Sequence, residues 1–344
     1  MLMPSKVPRI SIMAPKPFDH LDADVILRSS DKEPVDFRVF KLFLSLASPF
    51  FAMIFTLPQP NPPVYLDEYE DGKPVIQMSE DKHTLHLLLK FCYPIALVEG
   101  PRLSSLQELQ SITQAAFKFE MEGVKNFARK ALVESRFLES QPLRVFAIAC
   151  RFGWTTEVKM AARYTLRQPL SNSAYYEELV HVTAAAYHRL QQYHKICGEV
   201  AQSWIRMQPA LAEFDDEWVW ILCQRCPGTG VRARRDTGYP DSRRWFVDWI
   251  RDIAAEVHRR PWGVSVKKFD LREKAVTSAQ RCSVCGPRAA GDLETFSEML
   301  AVELEKELAS VCLLDLQCTM YIYFLPEIEI DINFNESTWD SNGL

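Results

Sequence analysis

The chain has 344 residues, of which 47% are hydrophobic and 25% are charged, and its formal net charge at pH 7 is −5. This length exceeds what one compact core usually holds, so we predict two or three packed units. The composition excludes the disordered, collagenous and membrane classes. The negative net charge excludes a global basic field that would hold the chain on a nucleic acid or an anionic membrane.

The N-terminal residues carry prolines and scattered cations without a continuous apolar stretch, so they predict no export signal. The most apolar run, 42–57, is shorter than the roughly 20 residues that a membrane-spanning helix needs. Nine cysteines in a chain without an export signal favour a reducing compartment, in which thiols stay free or bind metal. We therefore expect an intracellular protein, cytoplasmic or nuclear, without disulfides.

The first 140 or so residues predict a small α+β unit. Two β-branched stretches suggest a hairpin, and a strand and several helices follow it. Leu42, Leu46, Phe50 and Met53 recur at helical spacing, and Pro49 suits the first turn of a second helix. Predicted strands lie at 22–27, 35–39 and 75–78, and predicted helices at 40–55 (in two pieces), 81–93, 104–117 and 124–133.

Two local signals set helix boundaries in this unit. Ser105 with Glu108 three residues later forms a capping box, which predicts a helix start. Gly123 is expected to separate that helix from the next.

Beyond residue 138 the pattern becomes helical. Helices are predicted at 142–150, 157–167, 173–187, 190–207, 241–257 and 293–311. The residues at 320–344 alternate like a strand over IEIDINF and then turn polar and acidic. The predicted organisation is an N-terminal arm at 1–17, an α+β domain at 18–138, a helical extension at 139–210, an α-rich C-terminal unit at 211–319 and a tail at 320–344.

The phrases DADVIL, FRVFKLFLSLASPFFAMIF, VIQMSED, LHLLLKFCYP and LQSITQAAFKFEMEGV follow one another in order and spacing. Together they resemble the BTB/POZ domain over 18–138, and LASPFF and FCYP resemble most closely the BTB proteins of basidiomycete fungi. The resemblance implies a small sheet with a helical cluster, followed by an α-helical region. It also implies a non-enzymatic module that binds other proteins, by pairing with itself or by serving as an adaptor.

The resemblance also suggests residues that bind a partner. Asp24 and Lys41 match positions that line a charged groove between protomers in relatives, although Phe40 stands where the family usually has histidine. On the residues alone, Asp24 could equally cap a turn and Lys41 could be solvated.

In relatives that serve cullin-type ubiquitin ligases, an apolar-x-Glu segment lies in the loop before the strand predicted at 75–78. Leu66 and Glu68 supply that pattern here, although a solvated acidic loop explains them as well. Met78-Ser79-Glu80 repeats the pattern in a different element.

Enzyme motifs are absent from the sequence: it has no Gly-x-Ser-x-Gly elbow, no phosphate-binding Gly-x-x-x-x-Gly-Lys loop and no His-Glu-x-x-His helix. His83 and His86 could share a helix face but lack further ligands. We therefore predict no enzyme.

A nucleic-acid-associated regulator is an alternative. It rests on a loose basic cluster that acidic residues interrupt. The cluster comprises Arg232, Arg234, Arg235, Arg243, Arg244, Arg259, Arg260, Lys267 and Lys268.

Two Cys-x-x-Cys pairs, Cys223 with Cys226 and Cys282 with Cys285, can each place two thiolates on one metal ion. Gly286 permits the tight turn that points backbone amides at sulfur. These four residues predict a closed structural zinc site. Ordinary thiols, or a redox motif, remain the alternatives.

Overall fold

The computed structural model describes residues 11–57, 68–94, 96–207, 218–228, 239 and 242–311. Five strands form one mixed sheet near the N-terminus, and the rest of the described chain is mainly helical. The strands are β1 (Ile12–Met13), β2 (Val25–Arg28), β3 (Val35–Val39), β4 (Glu68–Glu70) and β5 (Lys73–Gln77). The α+β class predicted from the sequence is confirmed.

The sheet has the order β1-β3-β2-β5-β4. Its centre is the predicted hairpin, in which β2 and β3 run antiparallel with Val25 opposite Val39. β5 adds parallel to β2, β4 pairs antiparallel with β5, and the short β1 runs parallel to β3. Both central strands are buried along their whole length, which explains their β-branched and aromatic composition.

A buried ion pair joins the two central strands. Arg28 lies opposite Asp36, and its Nε donates to the Asp36 carboxylate at 2.7 Å. Ser11 donates to the second carboxylate oxygen at 2.6 Å. Burial opposes the charged form of Asp36, but these hydrogen bonds outweigh it, so the pKa of Asp36 lies below its usual value.

Five helices share an apolar core with the strands, and side-chain caps begin three of them. Ser48, Asp81 and Ser105 each accept a hydrogen bond from a backbone N–H in the first turn of α2, α3 and α4. The helices are α1 (Lys41–Ala47), α2 (Pro49–Thr56), α3 (Lys82–Cys92), α4 (Leu106–Lys118) and α5 (Glu122–Leu132). In the capping box, the Glu108 carboxylate accepts a hydrogen bond from the backbone N–H of Ser104 rather than from that of Ser105.

Two local expectations are wrong. Gly123 lies inside α5, and the chain breaks instead at Glu120, which adopts a positive φ of 54°. No continuous helix covers 173–187: short 3₁₀ turns occupy Leu170–Asn172 and Glu177–His181, and the next helix begins at Ala184. The buried Glu178 is the physical reason, because its ion pair with Arg144 at 2.7 Å holds this segment against α7.

The remaining helices form one continuous apolar core with the N-terminal part. They are α6 (Ser135–Ser140), α7 (Pro142–Arg151), α8 (Thr155–Thr165), α9 (Ala184–Met207), α10 (Val219–Leu222), α11 (Arg244–Arg259), α12 (Phe269–Ala279) and α13 (Ala289–Ser310). The long helix α9 packs on α11 and α13. The domain boundary at residue 210 stays a prediction. Helix α9, which precedes it, contacts α11 and α13, which follow it.

Aromatic stacking consolidates the C-terminal helices. Trp220 stacks on Phe246 with ring centroids 4.2 Å apart, and Trp218 stacks on Trp220 at 5.0 Å. Phe296 of α13 meets both tryptophans edge-on.

The predicted tail at 320–344 lies outside the described residues. Among the helices that the structure does describe, none is long and apolar enough to cross a membrane.

Candidate functional site

Helices α1 and α2 expose several large apolar side chains. Leu42 and Leu46 of α1 are 64% and 77% exposed, and Met53 of α2 is 57% exposed. Their helical spacing suggests one apolar face that packs inward. In the structure this face is exposed, and the buried side chains of the two helices are Leu44 and Phe51. The segment carries apolar residues on every side, so periodicity alone could not choose the inward face. The outward set is a candidate interaction surface.

Asp24 and Lys41 lie together at the start of α1. The exposed Asp24 accepts a hydrogen bond from the backbone N–H of Lys41 at 2.7 Å, so its carboxylate caps the helix. The Lys41 ammonium lies 5.5 Å from the ring centroid of Phe55. The capping alternative for Asp24 is therefore observed, and a groove shared between two protomers stays a prediction.

Phe40 occupies the place of the expected histidine. Its ring lies 5.4 Å from that of His20 and 5.8 Å from that of Phe43, and its backbone N–H donates to the Tyr93 hydroxyl at 3.3 Å. An apolar ring thus replaces a titratable group at this position.

Leu66, one of the two proposed cullin contacts, lies outside the described residues. Glu68 does not lie in a loop as expected: it begins β4 and pairs with Val75. Met78 is buried, and Glu80 forms an ion pair with Lys118 at 2.8 Å. Both residues of the second apolar-x-Glu match therefore make contacts within the protein.

The two cysteine pairs converge. The ligand atoms of Cys223, Cys226, Cys282 and Cys285 all lie within 4.8 Å of one another. Two of the sulfur–sulfur distances between the pairs are short: the sulfurs of Cys223 and Cys282 are 3.7 Å apart, as are those of Cys226 and Cys285. Four sulfurs at zinc–sulfur bonds of about 2.3 Å form a tetrahedron with edges of about 3.8 Å. The four cysteines could therefore hold one metal ion.

Four helix ends build this centre. Cys223 directly follows α10. The backbone N–H of Arg243 donates to the carbonyl of Trp220 in α10, and that of Arg244 donates to the carbonyl of Pro227 in the turn after it, so both bonds join this region to the start of α11. The second pair lies between the end of α12 and the start of α13. A Cβ on Gly286 would lie 3.1 Å from the carbonyl oxygen of Cys282, so glycine suits this tight turn, as the sequence predicts.

The thiols have unequal protonation preferences. Backbone N–H groups of Cys285 and Val284 point at the Cys282 sulfur and lower its pKa to about 6. Burial raises the pKa of Cys226 to about 11 and also raises the pKa of Cys285. One thiolate is thus ready at neutral pH, whereas a cation is needed to ionise all four sulfurs together. None of the seven cysteines in the described part of the chain forms a disulfide.

His83 and His86, noted in the sequence, and His194 make separate contacts. His83 binds Glu108 at 3.1 Å, and the His86 ring packs edge-on against Phe18. His194 lies 2.8 Å from the Thr165 hydroxyl, and burial lowers its pKa to about 4. Each of these histidines has a structural neighbour, and within the described residues only the four cysteines group as a candidate metal site.

Much of the basic cluster is paired with carboxylates. Arg232, Arg234 and Arg235 lie outside the described residues. The buried Glu256 attracts three of the other cations, with Arg259, Arg260 and Lys268 at 3.5–3.9 Å. Lys267 lies 3.9 Å from Glu298. Trp245, Phe246 and Trp249 are buried, so they offer no stacking surface for bases.

Comparison with known proteins identifies one region. Residues 17–136 match the family model of the BTB/POZ domain, which coincides closely with the boundaries 18–138 predicted from the sequence. None of the curated proteins matches the chain. The particular likeness to basidiomycete proteins stays a prediction.

Proposed function

We propose that this chain is a non-enzymatic adaptor whose BTB/POZ domain, at residues 17–136, associates with a second copy of itself through α1 and α2. BTB/POZ domains are protein–protein interaction modules. The observation that supports self-association most directly is the outward apolar set of Leu42, Leu46 and Met53.

The energetics favour a covered surface. Burying one leucine side chain fully stabilises an interface by roughly 1.5–3 kcal/mol, so two leucines on each of two protomers supply a substantial part of a dimer's free energy. Leucine pairs are also well placed by α1 itself, since Leu42 and Leu46 are separated by one helical turn.

Light scattering during size exclusion tests this proposal. Wild-type protein should run as a dimer at micromolar concentration, and Leu42→Asp with Leu46→Asp should convert it to a monomer with an unchanged circular dichroism spectrum. Tyr175→Asp with Val180→Asp is a matched control, because both residues are 73% exposed and lie outside the BTB/POZ domain. A monomeric wild type, or equal behaviour of the two double variants, would contradict self-association through α1.

Recruitment of a cullin is a separate adaptor function. It stays a prediction that rests on Leu66 and Glu68, and Leu66→Asp should then abolish co-purification of a cullin. Wild-type protein that retains no cullin removes this candidate.

The proposal includes one structural Zn²⁺ held by Cys223, Cys226, Cys282 and Cys285. Four thiolate ligands fill a tetrahedral site and leave no position for substrate, so the ion has a structural role. Two sulfur–sulfur distances of 3.7 Å, the grouping of all four sulfurs within 4.8 Å and the N–H groups that face Cys282 support this assignment. The ion would fasten the ends of α10, α11, α12 and α13 together.

Elemental analysis of purified protein should find about one zinc per chain. Cys282→Ser should lose the metal and increase proteolysis of the C-terminal helices, whereas the BTB/POZ core persists. Cys150→Ser is the control, because Cys150 is half-buried in α7 and lies outside the cluster. Zinc-free protein that resists protease as well as zinc-loaded protein would overturn the structural role.

A further inference from the structure

A cleft of about 860 Å³ lies beside the four-cysteine centre. Segments from four parts of the fold line it: the turn after α10, helix α11, helix α12 and the residues before Cys285. Cys226 and Cys282 are half-buried in its wall, and the partly exposed Leu271 supplies an apolar surface.

The charge lining this cleft is unbalanced. Five cationic side chains face two carboxylates; the cations are Arg225, Arg244, Arg251, Lys274 and Arg281, and the carboxylates are Asp248 and Asp252. Arg251 pairs with Asp248 at 3.2 Å and Lys274 pairs with Asp252 at 2.6 Å, so both carboxylates are already engaged.

Three arginines at the cleft are left without a carboxylate partner among the described residues. Arg225 donates to the neutral Ser283 hydroxyl at 2.8 Å, which holds its guanidinium across the two cysteine pairs. Arg244 and Arg281 are exposed. A zinc ion with four thiolates carries a charge of −2, which offsets part of this surplus near the cysteines. The positive surplus therefore lies at the exposed rim, where the arginines stand.

The lining selects among anionic partners. Nucleic acid bound in such a cleft needs exposed ring faces on which bases stack, but Trp245 and Trp249 are 8% and 2% exposed. A carboxylate, in contrast, matches the planar guanidinium fork, and an apolar side chain matches the partly exposed Leu271. Acidic and apolar groups close together are the chemistry of an acidic peptide.

We propose that the cleft between α11 and α12 binds an acidic peptide segment of a partner protein, with its carboxylates on Arg244 and Arg281 and an apolar side chain against Leu271. This function is separate from association through α1 and α2. It gives the chain a second docking surface, which lies outside the BTB/POZ domain.

Fluorescence anisotropy with zinc-loaded full-length protein tests the assignment. The probe is a labelled peptide of alternating glutamate and isoleucine, and its counterpart has glutamine in place of glutamate. We expect binding of the glutamate peptide that weakens as NaCl rises from about 0.1 to about 0.5 M, and at least about tenfold weaker binding of the glutamine peptide. Arg244→Glu with Arg281→Glu should also weaken binding at least about tenfold.

The matched control is Lys130→Glu with Lys159→Glu, which makes the same change in net charge at exposed positions on α5 and α8. Zinc content and thermal melting should be unchanged in both double variants, since all four side chains are exposed. Equal weakening by the control would show a nonspecific charge effect and overturn the site. Tighter binding of single-stranded DNA than of the glutamate peptide would overturn the peptide assignment.

The chain contains its own acidic stretch, with Glu327, Glu329 and Asp331 separated by isoleucines. Full-length protein with Glu327→Gln, Glu329→Gln and Asp331→Asn should bind the probe as wild type does. Tighter binding by this variant would show that the chain's own segment occupies the cleft, and would overturn the assignment to a partner.

Discussion

Alanine at position 198 tests the closest approach between two helices of the C-terminal half. A Cβ on Gly198 of α9 would lie 2.4 Å from the carbonyl oxygen of His258 and 3.3 Å from its carbonyl carbon, both backbone atoms of α11. Backbone atoms cannot rotate away as a side chain can. To restore ordinary van der Waals distance, α9 and α11 would have to separate by about 1 Å.

That separation loosens the buried faces of both helices. Ala201 and Ile205 of α9 and Ile253 and Val257 of α11 are all buried. Replacing glycine by alanine within a helix ordinarily stabilises it by about 1 kcal/mol, whereas overpacking of a well-packed contact costs about 1–3 kcal/mol. We expect a lower free energy of unfolding in Gly198→Ala because the clash involves backbone, which yields least.

Urea denaturation followed by circular dichroism measures the change, and Gly123→Ala is the matched control. Gly123 is also helical, but an added Cβ there meets nothing within 4 Å, so this variant should be as stable as wild type or up to about 1 kcal/mol more stable. If Gly198→Ala is stabilised as much as Gly123→Ala, the close packing of α9 on α11 is refuted.

Two further predictions concern the BTB/POZ domain. Asp36→Asn should destabilise the protein by about 1–3 kcal/mol at pH 7, because it removes one of the two carboxylates that pair with buried Arg28 and leaves Glu70 as the other. The pKa of Asp36 is lowered in the folded state, so this stabilisation is present above the unfolded value of about 3.9 and is lost as pH falls through the folded value. The gap between variant and wild type in acid denaturation should therefore close at low pH, and a gap that is constant with pH would contradict the ion pair. Ser48→Ala should cost about 2–3 kcal/mol, because the buried hydroxyl both caps α2 and donates to Phe119 at 2.6 Å. Ser105→Ala removes a cap alone, so an equal loss in urea denaturation would argue against the second bond.

The sequence by itself determined the elements whose signals are local. Ser48-Pro49 and the Ser105–Glu108 box set helix starts through hydrogen bonds within one turn. The alternating hairpin residues set β2 and β3, and the order of such elements was enough to suggest a BTB/POZ domain. Each Cys-x-x-Cys pair also carries its chemistry locally, since two thiolates at this spacing can reach one ion.

Only the tertiary structure decided features that depend on what lies across from a residue. Helices α1 and α2 carry apolar side chains on every side. In the fold α1 packs on α3, Leu44 is buried, and Leu42 and Leu46 are exposed. Convergence of the two cysteine pairs across 55 intervening residues depends on how α10 to α13 pack. Charge behaves in the same way: Glu256 lies near three cations, whereas Arg244 and Arg281 at the cleft have no carboxylate partner among the described residues. Spacing along the chain fixes neighbours only within a helical turn or a hairpin, and the long-range contacts decide which side is buried and which charges meet.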